Sequence, residues 1–402
     1  MIDSQKCWMN YVSEFAGSTR RFASRLTRKN HIIGSKVLDA NLALVERVCK
    51  DYARRSWNID DFKIDNGTVT VKAAEIHSLP FCKLIGFKRY TDNHDTLKKI
   101  NSQPTVLIVA PLSGHFATLL RDTVSTMLID HNVFITDWED AKNVPIVDGS
   151  FGLDTYVDYI RKFINILGTS INVVAVCQST VPVFATFALM ASEGEKLPLT
   201  LTLMAGPIDP RVNQTGTGKY AKKKSIKWYG RNLIHRVPQG YLGEGRRVLP
   251  GFLQLFSFVS MNPKAHISSY LKNWYHVWKE NDDAIEKHEE FYDEYNSVLD
   301  MDERFYLETI EEIFHKFSLP KGEMIINGKP IKPEDIKDCK LLIIEGAKDD
   351  IVGVGQTFAA HKLCTGIIIK KYLLVDDVGH YGVFSGKKWR EKIYPKIREF
   401  IR

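Results

Sequence analysis

The stretch INVVAVCQSTVPV, residues 171–183, decides the fold. Its first half, Ile171 to Val176, is a short β-branched apolar run of the kind that lies buried on both faces of a parallel sheet. Its second half opens a helix expected over about 180–193, because Pro182 falls in a first helical turn, where its missing N–H costs little. Cys177 stands at the junction. A strand turning sharply into a helix can hold a nucleophile above the sheet, provided the residues two places to either side are compact. Ala175 and Ser179 meet that condition. Centring the turn on Ser179 would set β-branched Val181 at the crowded position, so Ser179 and Thr180 are poorer nucleophiles. A free cysteine at a strand end is, by itself, as often a small buried hydrophobe; its partners must decide.

Working outward, TVLIVAP (105–111), NVFITDW (132–138), LTLTLMA (199–205), LLIIEG (341–346) and KKYLLVD (370–376) are further buried-strand runs, with helices expected over about 116–130 and 151–167. Strands alternating with helices imply right-handed crossovers and a mostly parallel sheet. Upstream, residues 68–90 hold two strand-like runs split by Ser78-Leu79-Pro80, an expected antiparallel pair. Residues 1 to about 60 carry apolar side chains at helical spacing (Leu38, Leu42, Val45, Val48), which predicts an amphipathic helix with those residues on its apolar face. Between about 207 and 338 the alternation stops and aromatics accumulate, among them Trp228, Tyr229, Phe256, Trp274, Tyr275 and Tyr292. Asn327-Gly328 then signals a two-residue hairpin before the sheet resumes. The expected organisation is an N-terminal helical extension (1–65), a first core segment (66–206), a large, mainly helical cap insertion (207–338) and a second core segment (339–402).

A chain of 402 residues, 44% hydrophobic and 26% charged, can bury a substantial core and fold unaided. No stretch approaches the ~20 apolar residues of a membrane helix, and the opening MIDSQKCWMN lacks a basic segment followed by an apolar run. A cytoplasmic location without a membrane span is therefore expected. The six cysteines are scattered without metal-ligand spacing, which suits reduced thiols. The net charge of +7 concentrates in two runs, Arg20-Arg21-Arg25-Arg28-Lys29 and Lys219-Lys222-Lys223-Lys224-Lys227-Arg231. No nucleic-acid motif accompanies either run, so both are read as solvated faces. Gly216-Thr217-Gly218-Lys219-Tyr220 lacks the first glycine and the hydroxyl residue of a phosphate loop, and His288-Glu289 lacks the second histidine of a zinc-protease helix. Neither a metal nor another cofactor is expected.

A thiol nucleophile needs a base and an orienting acid, and at the carboxyl ends of later strands the chain supplies both, in the order nucleophile, acid, base. Asp349 and Asp350 follow LLIIEG, and Gly379-His380 follows KKYLLVD. The expected triad is Cys177, His380 and one of the two aspartates, which spacing alone does not separate. The combination predicts an α/β-hydrolase fold. Its oxyanion donors are expected to be the backbone N–H of Gln178 and that of Leu112 or Ser113, with His115 in a supporting role beneath their loop.

From about residue 45 to the C-terminus the chain resembles the intracellular polyhydroxyalkanoate (polyhydroxybutyrate) depolymerases of bacteria. The likeness is carried by PFCKLIGFKRYTD (80–92), VAPLSGHFATLLRDTV (109–124), FITDWEDAKNVP (134–145), VCQSTVPV (176–183), MAGPIDPR (204–211), FYDEYNSVLDM (291–301), GQTFAAHKLCTGI (355–367) and GHYGVFSGKKWREKIYP (379–395). It implies that Cys177, Asp349 and His380 match the family's catalytic triad, favouring Asp349 over Asp350. It also implies an amorphous storage polyester as substrate and a granule surface as partner. Ser179 departs from the family, which often has proline there. Two rivals remain: a polyester synthase, which the absence of glycines flanking Cys177 disfavours, and a non-catalytic granule protein.

Overall fold

The computed structural model describes residues 2–27, 33–50, 52–261 and 263–402. Arg28 and Lys29 of the first basic run lie outside the described residues. Two compact units are present, one of residues 56–254 and 299–402, the other of residues 1–55 and 255–298.

The larger unit is built on nine strands: β1 (Phe62–Ile64), β2 (Gly67–Leu79), β3 (Cys82–Tyr90), β4 (Thr105–Val109), β5 (Asn132–Trp138), β6 (Asn172–Val176), β7 (Thr200–Met204), β8 (Lys340–Gly346) and β9 (Lys370–Val375). Their order is β1-β2-β3-β5-β4-β6-β7-β8-β9. The β1–β2, β2–β3 and β3–β5 pairs are antiparallel. All the others are parallel. Every residue of β6 (Asn-Val-Val-Ala-Val) and β7 (Thr-Leu-Thr-Leu-Met) is buried, as central strands of a parallel sheet covered on both faces must be. The helices Leu153–Leu167 and Thr180–Ser192 pack against one another and against the sheet. Strand β9 closes one edge, and its exposed Lys371 is the kind of charge that keeps an edge from pairing with another chain. This is an α/β-hydrolase fold: a mostly parallel sheet flanked by helices, with helical insertions.

The short pairs His235–Arg236, Arg247–Leu249 and Met301–Asp302 form a separate three-stranded sheet within the inserted segment. Buried Arg246 ties it down, reaching Asp302 at 2.9 Å and the carbonyls of Val144, Pro145 and Gly149. The expected hairpin forms at Asn327-Gly328, both at positive φ, between Ile325–Ile326 and Lys329–Pro330.

The smaller unit is helical: Ile2–Thr27, Ile33–Cys49, Pro263–Trp278 and Asp282–Asn296, together with residues from 255 in the helix Gly251–Met261. Ile33–Cys49 is a helix as expected, but its inward face is different. Ala40, Ala43 and Arg47 are buried, whereas Leu38, Val45 and Val48 are exposed. The two alanines let the helix Pro263–Trp278 come close, with Val277, Trp274 and Trp278 packed on them. Arg47 turns inward because it has partners there, Asp293 at 2.6 Å and Glu289 at 3.9 Å. Close approach and a buried ion pair thus outweigh the apolar periodicity. Among the described residues, no helix is long and apolar enough to cross a membrane.

Candidate active site

Strand β6 ends at Val176, and the next residue, Cys177, has φ of +57°. A left-handed conformation costs a residue bearing a Cβ of the order of 1–3 kcal/mol and persists only where its surroundings enforce it. Ser179 supplies much of that enforcement. Its fully buried hydroxyl accepts the N–H of Val176 at 2.9 Å and lies within donating distance of the carbonyls of Val109 (2.8 Å) and Val176 (2.9 Å). Thr180 donates to the carbonyl of Cys177 at 2.7 Å. Gly206, just beyond β7, makes room for this turn: a Cβ there would come within 1.8 Å of the Thr180 hydroxyl. The result is a sharp elbow with Cys177 half-buried at its apex.

Asp349 and His380 come from the loops after β8 and β9, which pair in parallel and so deliver both loops to the same end of the sheet. The loops are laced together by Ala347 N–H to Val375 O (3.0 Å) and Lys348 N–H to Val378 O (2.9 Å). Gly346 permits this approach, since a Cβ there would sit 2.5 Å from the Val378 carbonyl. The Nδ1 of His380 lies 2.8 Å from Oδ2 of Asp349, with side-chain exposures of 4% and 2%. The other oxygen of Asp349 accepts the N–H groups of Ile351 and Val352 at 2.9 and 2.8 Å. Asp350 points to solvent. The geometry thus separates the two aspartates that spacing alone could not.

On its other side His380 lies close enough to Cys177 to feel its charge. Burial opposes charge on the imidazole, but Asp349 and Cys177 together outweigh it and hold His380 well above its ordinary value. Thiol, imidazole and carboxylate thus come together at one end of the sheet, the imidazole bonded to the carboxylate. That is the arrangement needed to move a proton off a thiol and later return it to a leaving group.

The loop after β4 leaves the sheet beside the elbow, because Val109 pairs with Ala175. It is clamped at its root by Thr136, which accepts the N–H of Ala110 (2.9 Å), and by Trp138, which donates to the Ala110 carbonyl (2.8 Å). Beyond that root the N–H groups of Leu112 and Ser113 donate to no acceptor among the described residues, and neither does that of Gln178 on the elbow. Unspent backbone donors of this kind are what an oxyanion requires. His115, in the same loop, is buried.

Two supports escaped the sequence reading. Ser179 is one; the other is Glu345, a buried carboxylate near the end of β8. It accepts N–H groups from Gly355, Thr357 and Phe358 and the hydroxyl of Tyr372 at 2.7–3.0 Å, fixing the segment that follows Asp349. An acid interrupting the otherwise apolar run LLIIEG was its only sequence trace.

Residues 205–402, the part of the chain that holds Asp349 and His380, match the family described as PHB de-polymerase C-terminus. The chain is a carboxylic ester hydrolase. In backbone it is similar to a monoglyceride lipase from Saccharomyces cerevisiae (10% identity, 87% of this chain and 96% of that one, TM-score 0.46). It is likewise similar to 2-hydroxy-6-oxo-6-phenylhexa-2,4-dienoate hydrolase from Rhodococcus (14% identity, 82% and 99%, TM-score 0.43). A third such structure is a thermophilic esterase from Thermogutta terrifontis (12% identity, 84% and 93%, TM-score 0.41). No curated protein matches the hydrolase in sequence.

Proposed function

We propose that this hydrolase is an intracellular depolymerase that cuts the ester bonds of polyhydroxyalkanoate storage polymer, poly(3-hydroxybutyrate) above all, to hydroxyalkanoate oligomers and monomers. The observation that carries the proposal is the placement of Cys177 at a positive-φ elbow, beside a His380 whose Nδ1 is bonded to Asp349. The match of residues 205–402 supports the substrate class.

In this reading His380 takes the thiol proton and the sulfur of Cys177 adds to a polyester carbonyl. The resulting oxyanion is held by the N–H of Gln178 and by that of Leu112 or Ser113. The tetrahedral adduct collapses to a thioester as the C–O bond breaks, and protonated His380 delivers its proton to the departing alkoxide. Water, deprotonated by the same imidazole, then attacks the thioester and releases the hydroxy acid, with the proton returning to the thiolate. Asp349 keeps the imidazole in one tautomer and stabilises its charge. A positioned histidine contributes about 10²–10⁴-fold and one oxyanion donor about 10²–10³-fold. All these groups belong to the chain, and the scheme needs no metal or cofactor.

The test is release of 3-hydroxybutyrate from amorphous polyester granules, without coenzyme A, by the parent and by Cys177→Ala. The proposal expects release by the parent alone. Absence of release by the parent, with polymer formed from hydroxyacyl-coenzyme A instead, would overturn it in favour of a synthase.

A further inference from the structure

From Pro210 to Gly243 the chain contains eight Lys and Arg residues and no Asp or Glu. Seven of the eight are exposed and make no ion pair among the described residues, and six of these, Lys219, Lys222, Lys223, Lys224, Lys227 and Arg231, fall within residues 219–231. Set against a net charge of +7, this one surface accounts for most of the excess charge of the chain. An ordinary solvated face interleaves the two signs. A block of like charges repels itself and is useful chiefly for the field it projects.

The surface is tied to the catalytic end of the sheet. Thr215 donates to the carbonyl of Ile351 at 2.7 Å, Asn213 to that of Val354 at 2.6 Å, and Gln356 to that of Val212 at 2.9 Å. Ile351 is the residue whose N–H grips Asp349. The helix Gly216–Ala221 therefore starts beside the loop that holds the acid of the site, and Lys222, Lys223 and Lys224 lie between it and the helix Ile226–Asn232. Aromatic rings are interleaved with the cations. Lys224 Nζ lies 5.4 Å from the Trp228 ring centre, Lys222 Nζ lies 4.6 Å from that of Phe317, and Tyr220 is 45% exposed.

We infer that this surface docks the hydrolase on an anionic lipid layer covering its substrate particle. The inference rests on the function proposed above, since only a water-insoluble substrate calls for such docking. An apolar solid in water gathers amphiphiles at its boundary, because bare apolar surface is costly to hydrate. The enzyme then meets headgroups before it meets polymer. Five of the six cations are lysines, compact point charges suited to a diffuse layer of headgroups, rather than the planar forks that read phosphates or bases singly. Interleaved aromatic rings suit the boundary between headgroup and acyl chain. Each lysine near an anionic surface contributes about a fivefold factor in affinity.

The experiment is co-sedimentation of the full chain with phosphatidylcholine vesicles, with or without phosphatidylglycerol, for the parent and for Lys222→Gln/Lys223→Gln/Lys224→Gln. Duplex DNA is added as competitor, and hydrolysis of a soluble short-chain ester is measured alongside. The inference expects binding only to the anionic vesicles, weakened about a hundredfold in the variant and by added salt, with soluble-ester hydrolysis unchanged. It also expects the variant to lose hydrolysis of lipid-coated polyester particles. Equal binding by parent and variant, no binding by the parent, or preference for DNA over anionic vesicles would overturn it. Lysine-dependent vesicle binding by a parent that hydrolyses no polyester would instead sustain the surface and sink the proposed function.

Discussion

Asp349 holds His380 with one carboxylate oxygen, at 2.8 Å, while its other oxygen is gripped by two backbone N–H groups of its own loop. The carboxylate therefore cannot swing away from the imidazole without breaking both backbone bonds. Asp349→Asn should leave the fold intact and present an amide where a carboxylate must steady the imidazolium. Turnover of a soluble ester is expected to fall about 10³–10⁴-fold with little change in KM. Asp350→Asn, at the exposed neighbour, should turn over as the parent does.

Ser179 is a structural clasp beneath the elbow. Its hydroxyl is spent on Val176 and Val109 beneath the elbow. Ser179→Ala leaves the Val176 N–H buried without that partner and should cost about 1–3 kcal/mol of stability. A lowered urea midpoint with turnover retained would bear this out; loss of turnover at full stability would not.

Gly206→Ala tests the packing that enforces the elbow. The added methyl would meet three atoms of the Thr180 side chain at 1.8–2.5 Å, so the start of the helix Thr180–Ser192 must shift. About 1–3 kcal/mol or more of destabilisation is expected, together with loss of activity. Gly216→Ala is the control, since a methyl there meets nothing within 4 Å and its φ is not positive. It should cost less stability and leave turnover unchanged.

Stability should decline on mild acidification. Burial pushes His131 in the larger unit and His288 in the smaller one from 6.5 down to about 4, with Arg47 and His276 adding repulsion at His288. Between those values the unfolded chain binds more protons than the folded one, so stability rises with pH across the window and is lost as pH falls from about 6.5 towards about 4. The ring nitrogens of His288 have no hydrogen-bond partner among the described residues. His288→Phe is therefore expected to reduce the acid sensitivity of the smaller unit, measured by urea unfolding at about pH 5 and about pH 7.5. Unchanged acid sensitivity in that variant would refute the assignment.

The strands were legible because an unbroken β-branched run such as NVFITDW or INVVAVC has few other uses, and β5 and β6 lie where those runs stand. The elbow was legible in the compact residues around Cys177. Three things were not. Adjacent aspartates differ only in the direction their loop gives them, and that direction is set by hydrogen bonds to Ile351 and Val352. The inward face of Ile33–Cys49 follows the close approach of Pro263–Trp278 and the buried reach of Arg47, pairings more than two hundred residues apart in sequence. The clasp of Ser179 depends on a carbonyl at the end of another strand, Val109, which no local pattern announces.

The central claim is that the sulfur of Cys177 carries the acyl group. Its most direct test is rapid acid quench of the enzyme turning over a soluble hydroxybutyrate oligomer ester, followed by intact-mass and peptide mass spectrometry. The account predicts a hydroxybutyryl adduct on the peptide containing Cys177, sensitive to hydroxylamine, and neither adduct nor turnover in Cys177→Ala. Full turnover by Cys177→Ala, or an adduct on any other residue, would contradict it.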